Sequence, residues 1–159
     1  MKQTARVKYL LKFLFQPIRW HLILMFYEEE ETMTENTDIA RIKIRLSITD
    51  LGEAEGELAR FLAPRSIDAI LRKLPFEGRT TLWKEEVYFE IPVKLGLEKP
   101  KSKVEEGTIA FWPIGSAFCI FFGQSQPYSP VTILGKITKN LELFKQIKNS
   151  NVIKVELFV

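Results

Sequence analysis

The stretch from Gly107 to Gly123, GTIAFWPIGSAFCIFFG, restricts the fold of this chain more than any other. Two strongly apolar runs flank Pro113, Ile114 and Gly115, and proline beside glycine is turn chemistry. In the second run Ala117, Cys119 and Phe121 alternate with Phe118, Ile120 and Phe122, so a strand here is apolar on both faces. A strand covered on both sides lies inside a sheet, not at its edge. The other strands are therefore expected to wrap around this pair as around the inner hairpin of a barrel.

The remaining segments supply that wrapping. Arg41 to Ile48, RIKIRLSI, alternates strictly, with Ile42, Ile44, Leu46 and Ile48 on one face, which predicts a half-exposed first strand. A turn at Asp50 to Gly52 leads through Glu53 to Gly56, and Glu57 to Phe61 is expected to pair back as the second strand. Pro64 opens a helix, since a first turn needs no amide donor, and Ile67, Ile70, Leu71 and Leu74 follow at helical spacing until Pro75 stops it. Its apolar stripe should plug one barrel opening. Phe76 to Lys84 reads as a connector. Glu86 to Val93 reads as a strand with Phe89, Ile91 and Val93 facing inward and Tyr88, Glu90 and Pro92 outward. Lys94 to Glu106 reads as an extended edge or solvated loop whose charges stay at the surface. After the hairpin come a loop at Gln124 to Pro130 and a strand at Val131 to Ile137. Asn140 is expected to cap a helix at Leu141 to Lys148, and Val152 to Phe158 forms the closing strand. The sum is a mainly β fold: a closed, largely antiparallel eight-stranded barrel with two capping helices, in which Ile109, Phe121 and Val155 share one core.

At 159 residues and 46% hydrophobic content, the length fits one domain with a sizeable core. Cys119 is the only cysteine, so no internal disulfide forms and a cytoplasmic setting is the default. Net charge is only +3, from 23 Lys and Arg against 20 Asp and Glu spread along the chain. That is too little for a phosphate-tracking surface, and the twelve Phe sit mostly in core-like runs, so no nucleic-acid partner is expected. Residues 1–37 differ from the remainder, 38–159. Apolar pieces at Tyr9 to Phe15 and Trp20 to Tyr27 are split by Gln16, Pro17, Ile18 and Arg19, and Glu28 to Glu31 follow. A bilayer span needs about 20 predominantly apolar residues, which Lys12, Pro17, Arg19 and His21 interrupt. Two readings stay open: an interfacial amphipathic segment within residues 1–27, or an extension, disordered or foreign to the natural product, with Met33 as the true start. The second is preferred. Oligomeric state is left open.

The chemistry available to the domain is narrow. His21, the only histidine, lies in the N-terminal segment, so no Ser-His-Asp or Cys-His arrangement can be assembled in the barrel. One His and one Cys supply no zinc site, and no glycine-rich phosphate loop is present, so no cofactor is expected.

The order GSAFCIFF, then VTILGKITKNLELFKQI, then a terminal strand resembles the cyclophilins. Upstream, GELARFLAPRSIDAILRKLP is similar to their first strand turning into their first helix through an Ala-Pro step. The resemblance runs from about Arg41 to Phe158. It is closest to small, loop-trimmed cyclophilin-like proteins of prokaryotes, by YFEIPV, AFWPIGSAFCIFFG and SPV before LGKI. It implies a cyclophilin-like barrel and, for activity, peptidyl-prolyl isomerisation, in which an arginine donates to the prolyl nitrogen as the amide twists out of resonance. The alignment places Glu90 where that arginine would stand, and an ionised carboxylate cannot donate. The family's glutamine and phenylalanine fall on Ala117 and Cys119, and the loop bearing its tryptophan and histidine is shortened to Gln124 to Pro130. What the resemblance leaves is a groove beside Glu90 formed by Tyr88, Glu90, Trp112, Ala117, Cys119 and Phe121.

The expected function is binding of a small molecule or peptide in that groove, and the alternative is an isomerase of reduced activity. A replacement donor would have to come from Arg79, Lys84 or Gln126. Against the functional reading, Glu90 is equally a solvated strand carboxylate, Cys119 a small buried hydrophobe, and Trp112 and Phe111 packing residues. Trp112 is the better groove candidate, because its indole donor needs a partner.

Overall fold

Strict alternation builds the first hairpin of the computed structural model, which describes residues 40–158. The expectations for residues 1–37 lie outside the described residues. Strand β1 (Arg41–Ile48) buries Ile44, Leu46 and Ile48. A turn with Asp50 at φ 63° and Gly52 at φ 120° leads directly into β2 (Gly52–Ala59), paired from Ile48↔Gly52 to Arg41↔Ala59. The second strand thus starts at Gly52, not at Glu57. Glu53, Glu55 and Glu57 face outward while Ala54, Gly56 and Leu58 are buried. Space is short at Gly56, where a Cβ would lie 2.9 Å from Ile109 Cδ1.

The sheet then runs β3 (Phe76–Arg79), β9 (Val152–Leu157), β1, β2, β8 (Thr132–Lys139), β6 (Thr108–Trp112), β7 (Ala117–Phe121), β5 (Glu86–Glu90) and β4 (Thr81–Trp83), with every neighbouring pair antiparallel. Among the described residues there are nine strands instead of eight, because the Phe76 to Lys84 connector itself forms β3 and β4. The barrel is nearly closed: no ladder joins β3 to β4, the two ends of the order. β3 instead presses on β5 at Gly78, where a Cβ would lie 2.5 Å from Phe89 Cδ2 and 3.1 Å from the Glu90 carbonyl oxygen.

Central β6 and β7 are buried on both faces, as their apolar pattern requires. One face enters the barrel core with Phe111, Phe118 and Ile120, where Phe89 and Phe118 rings meet at 5.7 Å. The other carries a second buried cluster outside the barrel, formed by Ala110, Ala117, Cys119, Phe121 and Val131. Ile109 and Val155 share the interior, but Phe121 does not. Its parity with Ala117 and Cys119 commits it to the outer face.

Helix α1 (Pro64–Leu71) puts Ile67 and Ile70 into the barrel core and ends ahead of the cis Leu74–Pro75 peptide. Its N-cap residue, Ala63, has no side-chain acceptor. Glu98 supplies it from the 94–106 segment, accepting from Ser66 N (2.8 Å), Ser66 Oγ (2.7 Å) and, more weakly, Arg65 N (3.4 Å). Its own amide donates to Thr132 Oγ1 at 2.9 Å. The segment's charges were expected at the surface, yet Glu98 is buried, because a helix N-terminus is a ready acceptor site for a carboxylate. The second helix is a 3-10 segment, Leu141–Gln146, shorter than expected. Asn140 does not cap it: the residue sits at φ 61°, and its Nδ2 donates to the Glu53 carbonyl at 2.8 Å. Among the described residues, no helix is long and apolar enough to cross a membrane.

Candidate functional site

Outward-facing residues of β5 meet those of β7 in the register Glu86↔Phe121, Tyr88↔Cys119 and Glu90↔Ala117, and β6 places Trp112 opposite Ala117. Ala117, Cys119 and Phe121 are buried, with Tyr88 and Trp112 packed against them. Above this layer lies a cleft of about 190 Å³ lined by Trp83, Glu86, Tyr88, Trp112, Pro127, Tyr128 and Val131. Of the residues expected to form a groove, Tyr88 and Trp112 line the cleft directly and Ala117, Cys119 and Phe121 belong to the layer behind it. Glu90 is exposed near the strand end and does not line it. The acid in the cleft is Glu86, on the same strand face. Alternation alone would have pointed to it, since Glu86, Tyr88 and Glu90 share parity. Trp83 and Tyr128 carried no such signal, one sitting in a connector and the other in a loop.

The walls are aromatic. Tyr88 and Trp112 meet edge to face at 6.0 Å and 76°, and Trp83 and Tyr128 at 6.2 Å and 86°. Trp112 is held by its Nε1 donating to Ser129 Oγ at 2.8 Å. Its ring also lies over Gly115, where a Cβ would be 2.7 Å from Cε3 and Cζ3. Gly115 is therefore required by the indole. The left-handed residue of the β6–β7 turn is Ser116, at φ 46°. The 124–130 loop is fixed at its start by Gln124 N donating to the Glu85 carboxylate (2.7 Å), then by Gln126, which exchanges hydrogen bonds with Val104 (2.9 and 3.2 Å). These ties, with Ser129, set Pro127 and Tyr128 over the cleft.

Electrostatically the site is unusual. Glu86 is only 6% exposed and, among the described residues, forms no ion pair; the polar group that bears on its carboxyl is the Cys119 thiol, whose own S–H donates to the Ala117 carbonyl at 3.8 Å. Burial pushes its pKa up, and the Cys119 contact offsets this in part. Burial, followed by the charge and hydrogen bond of Glu86, pushes Cys119 well above the ordinary thiol range, so it carries no thiolate. No guanidinium or ammonium group lines the cleft. Of the candidate donors, Gln126 is engaged with backbone, Lys84 places its Nζ 5.7 Å from the Trp83 ring centroid, and Arg79 ends β3 away from the lining. Among the described residues no three His, Cys, Asp or Glu side chains gather to hold a metal ion.

A nearly closed antiparallel barrel plugged by a helix is the architecture of a cyclophilin-like barrel. The chain belongs to the Cyclophilin-like family, whose model matches residues 41–156. A hypothetical protein of Archaeoglobus fulgidus, solved in solution, is 30% identical with a TM-score of 0.64, over 74% of this chain and 95% of that one. McbB in complex with tryptophan shares 12% identity at a TM-score of 0.63, over 71% of this chain and 44% of McbB. A cyclophilin-type peptidyl-prolyl cis-trans isomerase of Cryptosporidium parvum shares 12% at 0.58, over 75% of this chain and 98% of that one. The latter two likenesses are of fold alone. No curated protein matches the chain.

Proposed function

We propose that the barrel is a binding module whose outer cleft, with Glu86 and not Glu90 as its acid, takes a small molecule or a small part of a peptide. The observation that carries this reading is a concave site walled by Trp83, Tyr88, Trp112 and Tyr128, of which Trp83 and Tyr128 remain 43% and 78% exposed. Exposed aromatics held in place by backbone ties are what an open binding site needs. Isomerisation is the weaker reading. It requires a donor toward the prolyl nitrogen, and loss of such a donor costs about 10²–10³-fold in rate; the cleft contains none from Arg or Lys. A cytoplasmic setting, with neither nucleic acid nor membrane as partner, completes the proposal and agrees with the free, buried Cys119.

The test combines a tetrapeptide proline-isomerisation assay with a thermal-shift screen of small molecules. Turnover should be absent or near background. Stabilising compounds should lose their effect in Trp112→Ala and Glu86→Ala and keep it in Glu90→Ala. Turnover like that of ordinary cyclophilins, or hits indifferent to Trp112, would refute it.

A further inference from the structure

Glu86 poses the question that the binding reading leaves unanswered. A carboxylate removed from water is normally paired with a cation or held by several donors, because its uncompensated desolvation is expensive. Here it is buried at the cleft, forms no ion pair among the described residues, and has no Lys or Arg among the residues that line the cleft with it. Around it stand Tyr88 with Trp112 and Trp83 with Tyr128. Aromatic faces attract cations, most strongly when water is displaced, and tryptophan is the best of them. One of these rings already does so, since Lys84 Nζ stands over Trp83. Both the charge and the ring quadrupoles therefore favour a positive guest.

The kind of cation follows from size and hydration. At about 190 Å³ the space is smaller than the roughly 300–1,000 Å³ of sites for drug-sized ligands. Primary ammonium and guanidinium groups would leave donors unmatched against ring faces and one carboxylate. An ammonium whose hydrogens are replaced by methyl groups has no donors to satisfy and presents an apolar surface to the rings. Resting on the binding reading above, we infer that the cleft takes a small, free alkylated ammonium compound, its head enclosed by Trp83, Tyr88, Trp112 and Tyr128 and neutralised by Glu86.

The experiment is calorimetric titration of the full chain with choline, with 3,3-dimethylbutan-1-ol as its uncharged equivalent in shape, and with a peptide bearing one trimethyllysine. Choline should bind at least about tenfold more tightly than the neutral alcohol. Glu86→Gln should weaken choline at least about tenfold while leaving the alcohol unchanged. Tyr128→Ala, at an exposed rim position, should weaken choline several-fold without lowering the Tm of the free protein by more than a plain surface change does. If the alcohol binds as well as choline, the charge argument is overturned while the cleft remains a binding site. If the peptide binds far more tightly than choline, the free-ligand assignment is overturned. If none binds and no stabilising compound depends on Trp112, the inference and the binding reading both fall.

Discussion

Replacing Glu98 should destabilise the barrel well beyond what a loop acid ordinarily does. Its carboxylate accepts two short hydrogen bonds from Ser66, at 2.8 and 2.7 Å, and a longer one from Arg65 N at 3.4 Å. Hydrogen bonds to a charged acceptor contribute about 1.5–3 kcal/mol each, and stranding their buried donors costs about 1–3 kcal/mol. The Arg65 guanidinium, 3.7 Å away and 85% exposed, adds little. After the desolvation of the acid is subtracted, Glu98→Ala should cost about 2–4 kcal/mol, above the roughly 1 kcal/mol of an ordinary cap. Glu98→Gln keeps one acceptor oxygen but turns an NH2 toward a donor, for about 1–2 kcal/mol. Burial raises the Glu98 pKa, but the Ser66 and Arg65 hydrogen bonds and the Arg65 charge outweigh it and hold the group below its ordinary 4.5. A depressed folded pKa means the stabilisation is complete above 4.5 and lost as pH falls through the folded value. Urea denaturation at constant m should therefore give the full wild-type to Gln difference at pH 7 and a shrinking one below pH ~4.5. An alanine effect within about 0.5 kcal/mol, the range of a plain surface change, would refute the argument. So would a glutamine effect independent of pH.

Glu86 should behave oppositely. Its pKa is raised in the fold, so its contribution is fully present below 4.5 and is lost as pH rises through the folded value; Glu86→Gln should raise the Tm at pH 8 while impairing the cleft, and a lowered Tm would refute this. Gly115→Ala should push the Trp112 ring off Ser129, costing about 1–3 kcal/mol by denaturation and abolishing cleft-dependent thermal shifts. Cys119 should resist a thiol reagent in the native protein and react only as fast as the chain unfolds; rapid native labelling would contradict its burial.

Much of the barrel was legible because period-2 alternation is a local signal. RIKIRLSI and AFCIFF announce a half-buried strand and a doubly buried one; the first forms over its whole length and the second from Ala117 to Phe121. β2 was only half legible, since Ala54 and Gly56 are too small to register as an apolar face. Glu98 was illegible for a different reason: what buries it is a helix start 32 residues earlier. The site shows the same division. Parity places Glu86, Tyr88 and Glu90 on one face, but how deep each lies depends on its partner across the ladder and on the loop above. Glu86, opposite Phe121, falls within the cleft, and Glu90, opposite Ala117 beside the turn, falls outside it. Trp83 and Tyr128 become wall residues only when β4 and the 124–130 loop are brought together, a long-range event without a local pattern.

The double-faced β7 has a consequence for how such a protein can change. Phe118 and Ile120 answer to the interior, whereas Cys119 and Phe121 answer to the cleft, and adjacent positions on one strand are thereby released from each other's constraints. The cleft walls come from β4, β5, β6 and the chain that follows β7, none from β1, β2, β9 or α1. On the proposed binding role, a lineage, or a laboratory library varied at Trp83, Tyr88, Pro127 and Tyr128, would exchange one guest for another while the interior sequence stays untouched. Divergence of the cleft on a constant barrel is then the expected evolutionary outcome.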